Sequence, residues 1–256
     1  MKPRLTEEDL EQIFISSRFK KRNPLVIFFK FFGLFVLFFA IIFLALNFSA
    51  YKQKITFWYH DEFLAENSNS ISSVISTGDI QTLETQNKIP NISDNSIYIE
   101  NINIKAPITF RVPNNENDVS ASLKNGLIQL DGTALPGEVG NVFITGHSSN
   151  YLWVKSDYNA IFALLSKVVI GDAILVKFQN QNYIYQVKNI FITSSSDVSV
   201  MNPQNNQSIL TLMTCTPVGT NLKRLIVRAE QIYPDPFMNR KTFSSSKNKN
   251  LPEGVR

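Results

Sequence analysis

The sequence is poor in the residues from which metal sites and disulfides are built. Among 256 residues there are one cysteine and two histidines. A single cysteine excludes an internal disulfide, and three such ligands cannot form a zinc site without added carboxylates. Charged residues are also few, at 18%. We therefore expect no metal and no cofactor. The net charge of +4 does not indicate a nucleic-acid partner, because a membrane anchor explains the basic cluster near the N-terminus.

The longest apolar run covers residues 25–46 and contains a single charge, Lys30. As a helix it would be about 33 Å long, enough to cross a hydrocarbon layer of roughly 30 Å. Four basic residues precede it: Arg18, Lys20, Lys21 and Arg22. This bias predicts a single-pass anchor with a cytoplasmic N-terminus and the remainder outside the cell. The alternative is a cleaved signal peptide, but the run is long for one and Phe48-Ser49-Ala50 is a poor cleavage site.

Composition divides the chain into five segments. The polar N-terminus predicts a cytoplasmic tail, and the Ser- and Asn-rich stretch after the anchor predicts a stalk or linker. A Pro-, Ser- and Lys-rich C-terminus is typical of a disordered tail. The predicted boundaries are 1–23 for the tail, 24–47 for the anchor, 48–95 for the juxtamembrane stalk, 96–233 for the folded domain and 234–256 for the disordered tail.

Within the folded domain, short alternating segments separated by turn residues predict a mostly β structure. Seven strands are expected, at 97–104, 126–131, 141–146, 173–178, 183–192, 208–215 and 223–230. Apolar residues at helical spacing predict one short helix near 158–168. So many strands in about 135 residues favour a closed or nearly closed β-barrel with one core.

The lone cysteine, Cys215, ends one of these strands, directly before Thr216 and Pro217. In an exported protein a solitary cysteine is a buried bystander, an intermolecular link or a reactive thiol. A cysteine attacks as the thiolate, and an unperturbed thiol of pKa about 8.5 is mostly protonated at neutral pH. Reactivity therefore requires a nearby base or cation.

Two residues fit those roles. His147 ends the strand NVFITGH, 68 residues before the cysteine, and Arg224 begins the strand that follows it. We expect the imidazole and the thiol to face each other across the barrel rim. A guanidinium remains protonated, so Arg224 is suited to an oxyanion or a substrate carbonyl rather than to proton transfer. The other histidine, His60, lies among aromatic residues near the expected membrane boundary, and we interpret it as structural.

The segments ITGH and TLMTCTPVGTNLKR resemble those of sortases, the membrane-anchored cysteine transpeptidases of bacterial surfaces. The similarity extends over residues 97–230 and includes the Pro-Gly turn and Gly-Asn pair before the histidine strand. It implies an eight-stranded sortase-type β-barrel with one or two short helices, preceded by a single transmembrane helix. It further implies that Cys215, His147 and Arg224 are catalytic and that Thr214 and Thr216 contact substrate.

The resemblance implies cleavage of a Leu-Pro-x-Thr-Gly-like sorting signal and transfer of the acyl group to an amine of the cell wall or of a pilin. The expected partners are therefore sorting-signal peptides, an amine acceptor and the membrane, with no cofactor. The thiol segment is most similar to class C, D or E members. Without a second apolar span or a clear lid sequence, the pilin-polymerising type is disfavoured and the subclass stays open. A surface endopeptidase and a non-catalytic peptide-binding barrel remain as alternatives.

Overall fold

The computed structural model describes residues 6–8, 24–46, 48, 51–52, 55, 90–151, 153–203 and 207–241. Most of the predicted N-terminal tail and stalk, all of residues 242–256 and His60 lie outside these residues. The chain divides into two compact units, residues 1–45 and 46–256. The apolar helix and the β domain are therefore considered separately.

Helix α1 spans Pro24–Leu46 and carries the apolar run. Proline suits the first position of a helix because its missing N–H would have no partner there. The helix has 23 residues and is long and apolar enough to cross a membrane. It agrees with the single N-terminal transmembrane helix expected from the sequence.

Within residues 90–151, 153–203 and 207–241, the β domain contains nine strands and one α-helix, α2, at Glu116–Leu123. The strands are β1 (Ser96–Ile99), β2 (Ile104–Val112), β3 (Leu127–Leu130), β4 (Glu138–Thr145), β5 (Ala173–Phe178), β6 (Gln181–Ser194), β7 (Ser208–Thr216), β8 (Lys223–Tyr233) and β9 (Arg240–Lys241). Their order is β3-β2-β1-β5-β6-β8-β7-β4-β9, and β3 also pairs with β4. The first eight strands therefore form a closed barrel, which confirms the expected fold, and β9 adds to β4.

The strand predicted at 97–104 is wrong as a single element. A 3-10 helix, Glu100–Ile102, interrupts it, and the chain reverses to form the antiparallel pair β1–β2. The reversal occurs at Asn103, which has a left-handed φ of 47°. Asparagine tolerates this conformation better than most residues. Apolar residues alternate on both sides of the reversal, at 97 and 99 and again at 102, 104 and 106, and the prediction joined these two runs although Glu100-Asn101 shifts the alternation by one residue.

The helix predicted near 158–168 is also wrong. This segment is a succession of turns that ends in the 3-10 helix Leu165–Lys167. The amide of Phe162 does not bond within this segment; it donates to the carbonyl of His147 at 2.9 Å. The true helix, α2, is mostly polar and was not predicted. Its best sequence signal is Asn115, whose side chain accepts a hydrogen bond from Asp118 N as an N-cap.

The two faces of the barrel wall belong to different apolar clusters. The larger cluster contains residues from all eight barrel strands and fills the interior, where Leu210 and Leu212 of β7 lie. A second cluster contains Met213 and Cys215 of β7 together with residues of α2 and of the 3-10 helix Val198–Met201. Because side chains alternate along a strand, Cys215 faces outward from the barrel, beneath these covering elements.

Candidate active site

Cys215 and Arg224 are directly opposite each other on neighbouring strands. In the antiparallel pair β7–β8 the register joins Cys215 to Arg224, with Met213 opposite Ile226 two residues earlier on β7. Opposed residues of an antiparallel pair point to the same face, with Cβ atoms about 5 Å apart. The arginine is thus held beside the cysteine by backbone pairing, as its position at the start of a strand suggested.

His147 comes from the other neighbour of β7. Strands β4 and β7 are parallel, and their register ends with Thr145 opposite Met213. Gly146 N extends the ladder by donating to the carbonyl of Met213 at 3.3 Å. Continued for two residues beyond Thr145, this register brings His147 level with Cys215. The pairing of β7 with both β8 and β4 therefore puts Arg224 opposite Cys215 on one side and the end of β4, two residues before His147, on the other.

Thr214 and Thr216 alternate with Cys215, so their side chains point to the opposite face of β7. The hydroxyl of Thr214 is buried and donates to the carbonyl of Gly146 at 2.8 Å. This bond ties the end of β7 to the residue before His147. Thr216 is partly exposed and pairs with Lys223.

The three central side chains are almost closed to solvent. The exposed fractions are 1% for Cys215 and 4% for both His147 and Arg224. The sequence predicted that these groups lie at the barrel rim. They do lie at or near strand ends, but their side chains are buried. A peptide that reaches the thiol must displace part of the cover.

Part of that cover consists of two connections that contact each other. Ser149, in the connection after β4, accepts a hydrogen bond from Gly219 N at 3.0 Å. In the same region Val218 packs against Ala160 and Ala163. The segments that follow His147 and Cys215 are therefore fastened together.

The guanidinium of Arg224 is only partly engaged. Its Nη1 donates to the carbonyl of Asn221 at 3.0 Å and to that of Lys223 at 3.3 Å. Its buried Nε has no hydrogen-bond partner in the described part of the chain. An unpaired buried donor is costly, so this N–H is available to an incoming carbonyl oxygen.

Sequence reasoning missed Asn150, which lies beside the imidazole. Its Nδ2 is 3.4 Å from Nε2 of His147, and it also donates to Oδ1 of Asn159 at 3.0 Å. A polar residue three positions after the candidate histidine was a weak signal. Thr193 was missed as well, and the register of β6 and β8 places it opposite Arg224.

The fold is a closed barrel in which β7, the strand with the lone cysteine, lies between β4, which leads to His147, and β8, which carries Arg224. These features indicate the class of domain. The Sortase domain family model matches residues 97–232, more than half of the chain, and the protein therefore belongs to the sortase family. The match covers nearly all of the barrel.

Individual relatives agree with this assignment. The chain is 32% identical over 113 residues to Sortase SrtE1 of Streptomyces coelicolor, an alignment covering 41% of this chain and only 30% of that relative. Sortase A from Corynebacterium diphtheriae is 30% identical, with 66% of this chain and 73% of that one covered and a TM-score of 0.47. A Clostridium perfringens Sortase D5 transpeptidase is 29% identical, with 60% and 90% covered and a TM-score of 0.44. The subclass remains open.

Proposed function

We propose that the protein is a cysteine transpeptidase that joins exported proteins to an amine through a thioacyl-enzyme. The observation that supports the proposal is the position of Cys215 directly opposite Arg224, on a strand that also pairs with β4, whose last residue lies two positions before His147. The three groups supply a nucleophile, a cation for the developing oxyanion and a carrier for the proton.

In the first half-reaction the thiolate of Cys215 attacks the carbonyl carbon of Thr, in the Thr–Gly peptide bond of a Leu-Pro-x-Thr-Gly-like signal. The carbonyl oxygen gains negative charge, and Arg224 stabilises it through a guanidinium N–H. The C–N bond then breaks, and protonated His147 gives its proton to the departing glycine amine. The products are a thioester on Cys215 and a free C-terminal fragment.

In the second half-reaction an amine attacks the thioester carbonyl. His147, now neutral, takes the proton from the attacking nitrogen, and the sulfur leaves as the thiolate. The new amide links the exported protein to its acceptor, a peptidoglycan precursor or a pilin lysine. We further propose that the partly exposed Thr216 contacts the donor peptide, that the buried Thr214 supports its binding through the hydrogen bond to Gly146, and that α1 anchors the enzyme with its N-terminus in the cytoplasm.

The decisive experiment is mass spectrometry of the full chain in detergent micelles, mixed with a sorting peptide. An acyl adduct on Cys215 is expected, and added triglycine should convert it to a ligated product. Cleavage that proceeds without any ligated product would instead identify an endopeptidase. Tight peptide binding with no adduct and no cleavage would identify a non-catalytic peptide-binding barrel.

A further inference from the structure

The outer face that carries Cys215 is covered by the 3-10 helix Val198–Met201. Val200 and Met201 are buried in the same apolar cluster as Cys215 and Ile226, with Val198 packed against it. The helix lies in the connection between β6 and β7, part of which is described. This short element is therefore one wall of the space around the thiol.

Two side chains from different strands hold this wall at one carbonyl oxygen. Asn141 of β4 donates from Nδ2 to Val200 O at 2.9 Å and to Asn202 O at 3.3 Å. Arg228 of β8 donates from Nη2 to the same Val200 O at 3.4 Å. We call the contacts of Asn141 and Arg228 with Val200 the Val200 clamp.

The start of the helix is held separately. The side chain of Asp197 accepts hydrogen bonds from Ser199 N at 3.1 Å and from the hydroxyl of Thr193 at 2.6 Å. Thr193 lies on β6 opposite Arg224. The guanidinium of Arg228 also lies over the ring of Phe191, 5.4 Å from its centroid. The wall is thus attached to β4, β6 and β8 at once.

The Val200 clamp holds the loop at a cost in folding stability. Asn141 Oδ1 and Arg228 Nε are buried and have no hydrogen-bond partner in the described part of the chain, and neither has Thr211 Oγ1, opposite Arg228. Unpaired buried polar atoms reduce stability, so an apolar contact would hold the loop at lower cost. Polar contacts have a preferred geometry. Because Asn141 and Arg228 share the carbonyl of Val200, they fix both the position and the rotation of the 3-10 helix relative to the barrel.

We propose that Asn141 and Arg228 are positioning residues that set the donor-peptide wall of the site. The inference rests on the proposed transpeptidase function. The wall is apolar and suits the apolar part of a sorting signal, whereas the residues that follow β4, among them His147, Ser149 and Asn150, are polar and suit an amine. The clamp acts from a distance. Arg228 lies opposite Thr211, and Thr211 is four residues from Cys215, about 13 Å along an extended strand.

The test uses the full chain in detergent micelles with Asn141→Asp and, in case that variant folds poorly, Arg228→Lys. The first substitution removes the amide donor at nearly constant volume, and the second keeps the charge but loses the planar fork. The matched control is Asn239→Asp. Asn239 Nδ2 donates to Ser208 Oγ at 2.8 Å and to Gln231 Oε1 at 2.9 Å. Ser208 lies seven residues from Cys215, at the other end of β7.

Two measurements are compared: hydrogen exchange of residues 197–203 and the KM values for the donor peptide and for triglycine. Asn141→Asp and Arg228→Lys should speed exchange and raise the donor KM about tenfold, the equivalent of one good hydrogen bond. The triglycine KM should not change, and Asn239→Asp should alter neither quantity.

An unchanged donor KM despite faster exchange would overturn the proposal, as would an equal rise in the triglycine KM or the same rise in Asn239→Asp. Failure of the proposed function looks different, because the unsubstituted chain would then form no adduct with any sorting peptide. In that case unchanged exchange in both clamp variants would still refute the clamp.

Discussion

Thr214 of β7 donates its hydroxyl hydrogen to the carbonyl of Gly146, the residue directly before His147, at 2.8 Å. The bond joins the residue directly after β4 to β7, the strand that carries Cys215. It is buried, and water cannot replace it without a change in packing. Thr214 therefore holds the relative position of Cys215 and His147, whatever its contact with substrate.

Thr214→Val should weaken both folding and turnover. The substitution keeps the shape but leaves the Gly146 carbonyl unpaired, at a cost of about 1–3 kcal/mol. Thr145→Val is the matched control, because Thr145 donates to Met213 O at 3.1 Å across the same pair of strands. Denaturant unfolding should show similar losses for both, whereas kcat should fall further for Thr214→Val. Equal kcat values for the two variants would assign Thr214 a purely structural role in this respect.

Cys215→Ala should abolish product formation while the fold survives. The chain has no other thiol to replace the nucleophile. Mass spectrometry should find no acyl adduct, and circular dichroism should match that of the unsubstituted chain. His147→Ala should also be severely impaired, since the leaving amine would have no proton donor. Turnover retained in Cys215→Ala would refute the enzyme proposal.

Arg224→Lys should lower kcat/KM by about 100-fold, the usual loss when one oxyanion donor is removed. An ammonium group keeps the charge but does not reproduce the fork of N–H donors. Lys223→Ala is the control, because Lys223 is the exposed neighbour on the same strand and lies opposite Thr216. It should leave kcat/KM near that of the unsubstituted chain. A similar loss in both variants would point to general disturbance of β8.

Gly146→Ala should disturb the site through packing. A Cβ at this position would overlap Cδ2 of Leu127 and lie 3.0 Å from Cδ2 of Phe162. Overpacking of this kind costs about 1–3 kcal/mol and would displace His147. Adding Leu127→Ala provides space, so the double variant should be more stable than the sum of the two single losses predicts. Strict additivity in unfolding experiments would show that Gly146 is not confined by Leu127.

The 3-10 helix beside the thiol should be sensitive to acid through Asp197. Hydrogen bonds from Ser199 first, and then from Thr193, hold the pKa of this carboxyl below its ordinary value, and the charge of Arg228 acts in the same direction. A depressed folded-state pKa stabilises the fold above the unfolded-state value of about 3.9, and this contribution is lost as the pH falls through the folded-state pKa. Unfolding measured across this range should show a smaller pH dependence for Asp197→Asn. An unchanged profile would contradict the assignment.

Local patterns were sufficient for much of the architecture. The apolar run at residues 25–46, in which Lys30 is the single charged residue, predicted α1, because length and apolarity decide whether a helix can span a membrane. Alternation predicted β7 and β8 because one face of each strand is buried differently from the other. The reversal at Asn103 and the polar helix α2 were missed, since the first is flanked by two alternating runs that differ only by a one-residue shift and the second buries only Val119 and Leu123.

The candidate site divides in the same way. Residue chemistry indicated Cys215, His147 and Arg224, because a reactive thiol requires a proton carrier and a cation nearby. It gave no sign that these three groups would be nearly closed to solvent. It also gave no sign of Asn141 or Arg228, whose hydrogen bonds reach a carbonyl 59 and 28 residues away in the chain.

The candidate residues and the apolar helix could be recognised from the sequence, because each depends on side-chain type or on contiguous apolar length. Their placement depends on the sheet: β7 pairs with β8, which puts Arg224 opposite Cys215, and with β4, whose last paired residue, Thr145, lies two residues before His147. Long-range pairing depends on the packing of the entire sheet, and for that reason no local stretch of sequence specifies it.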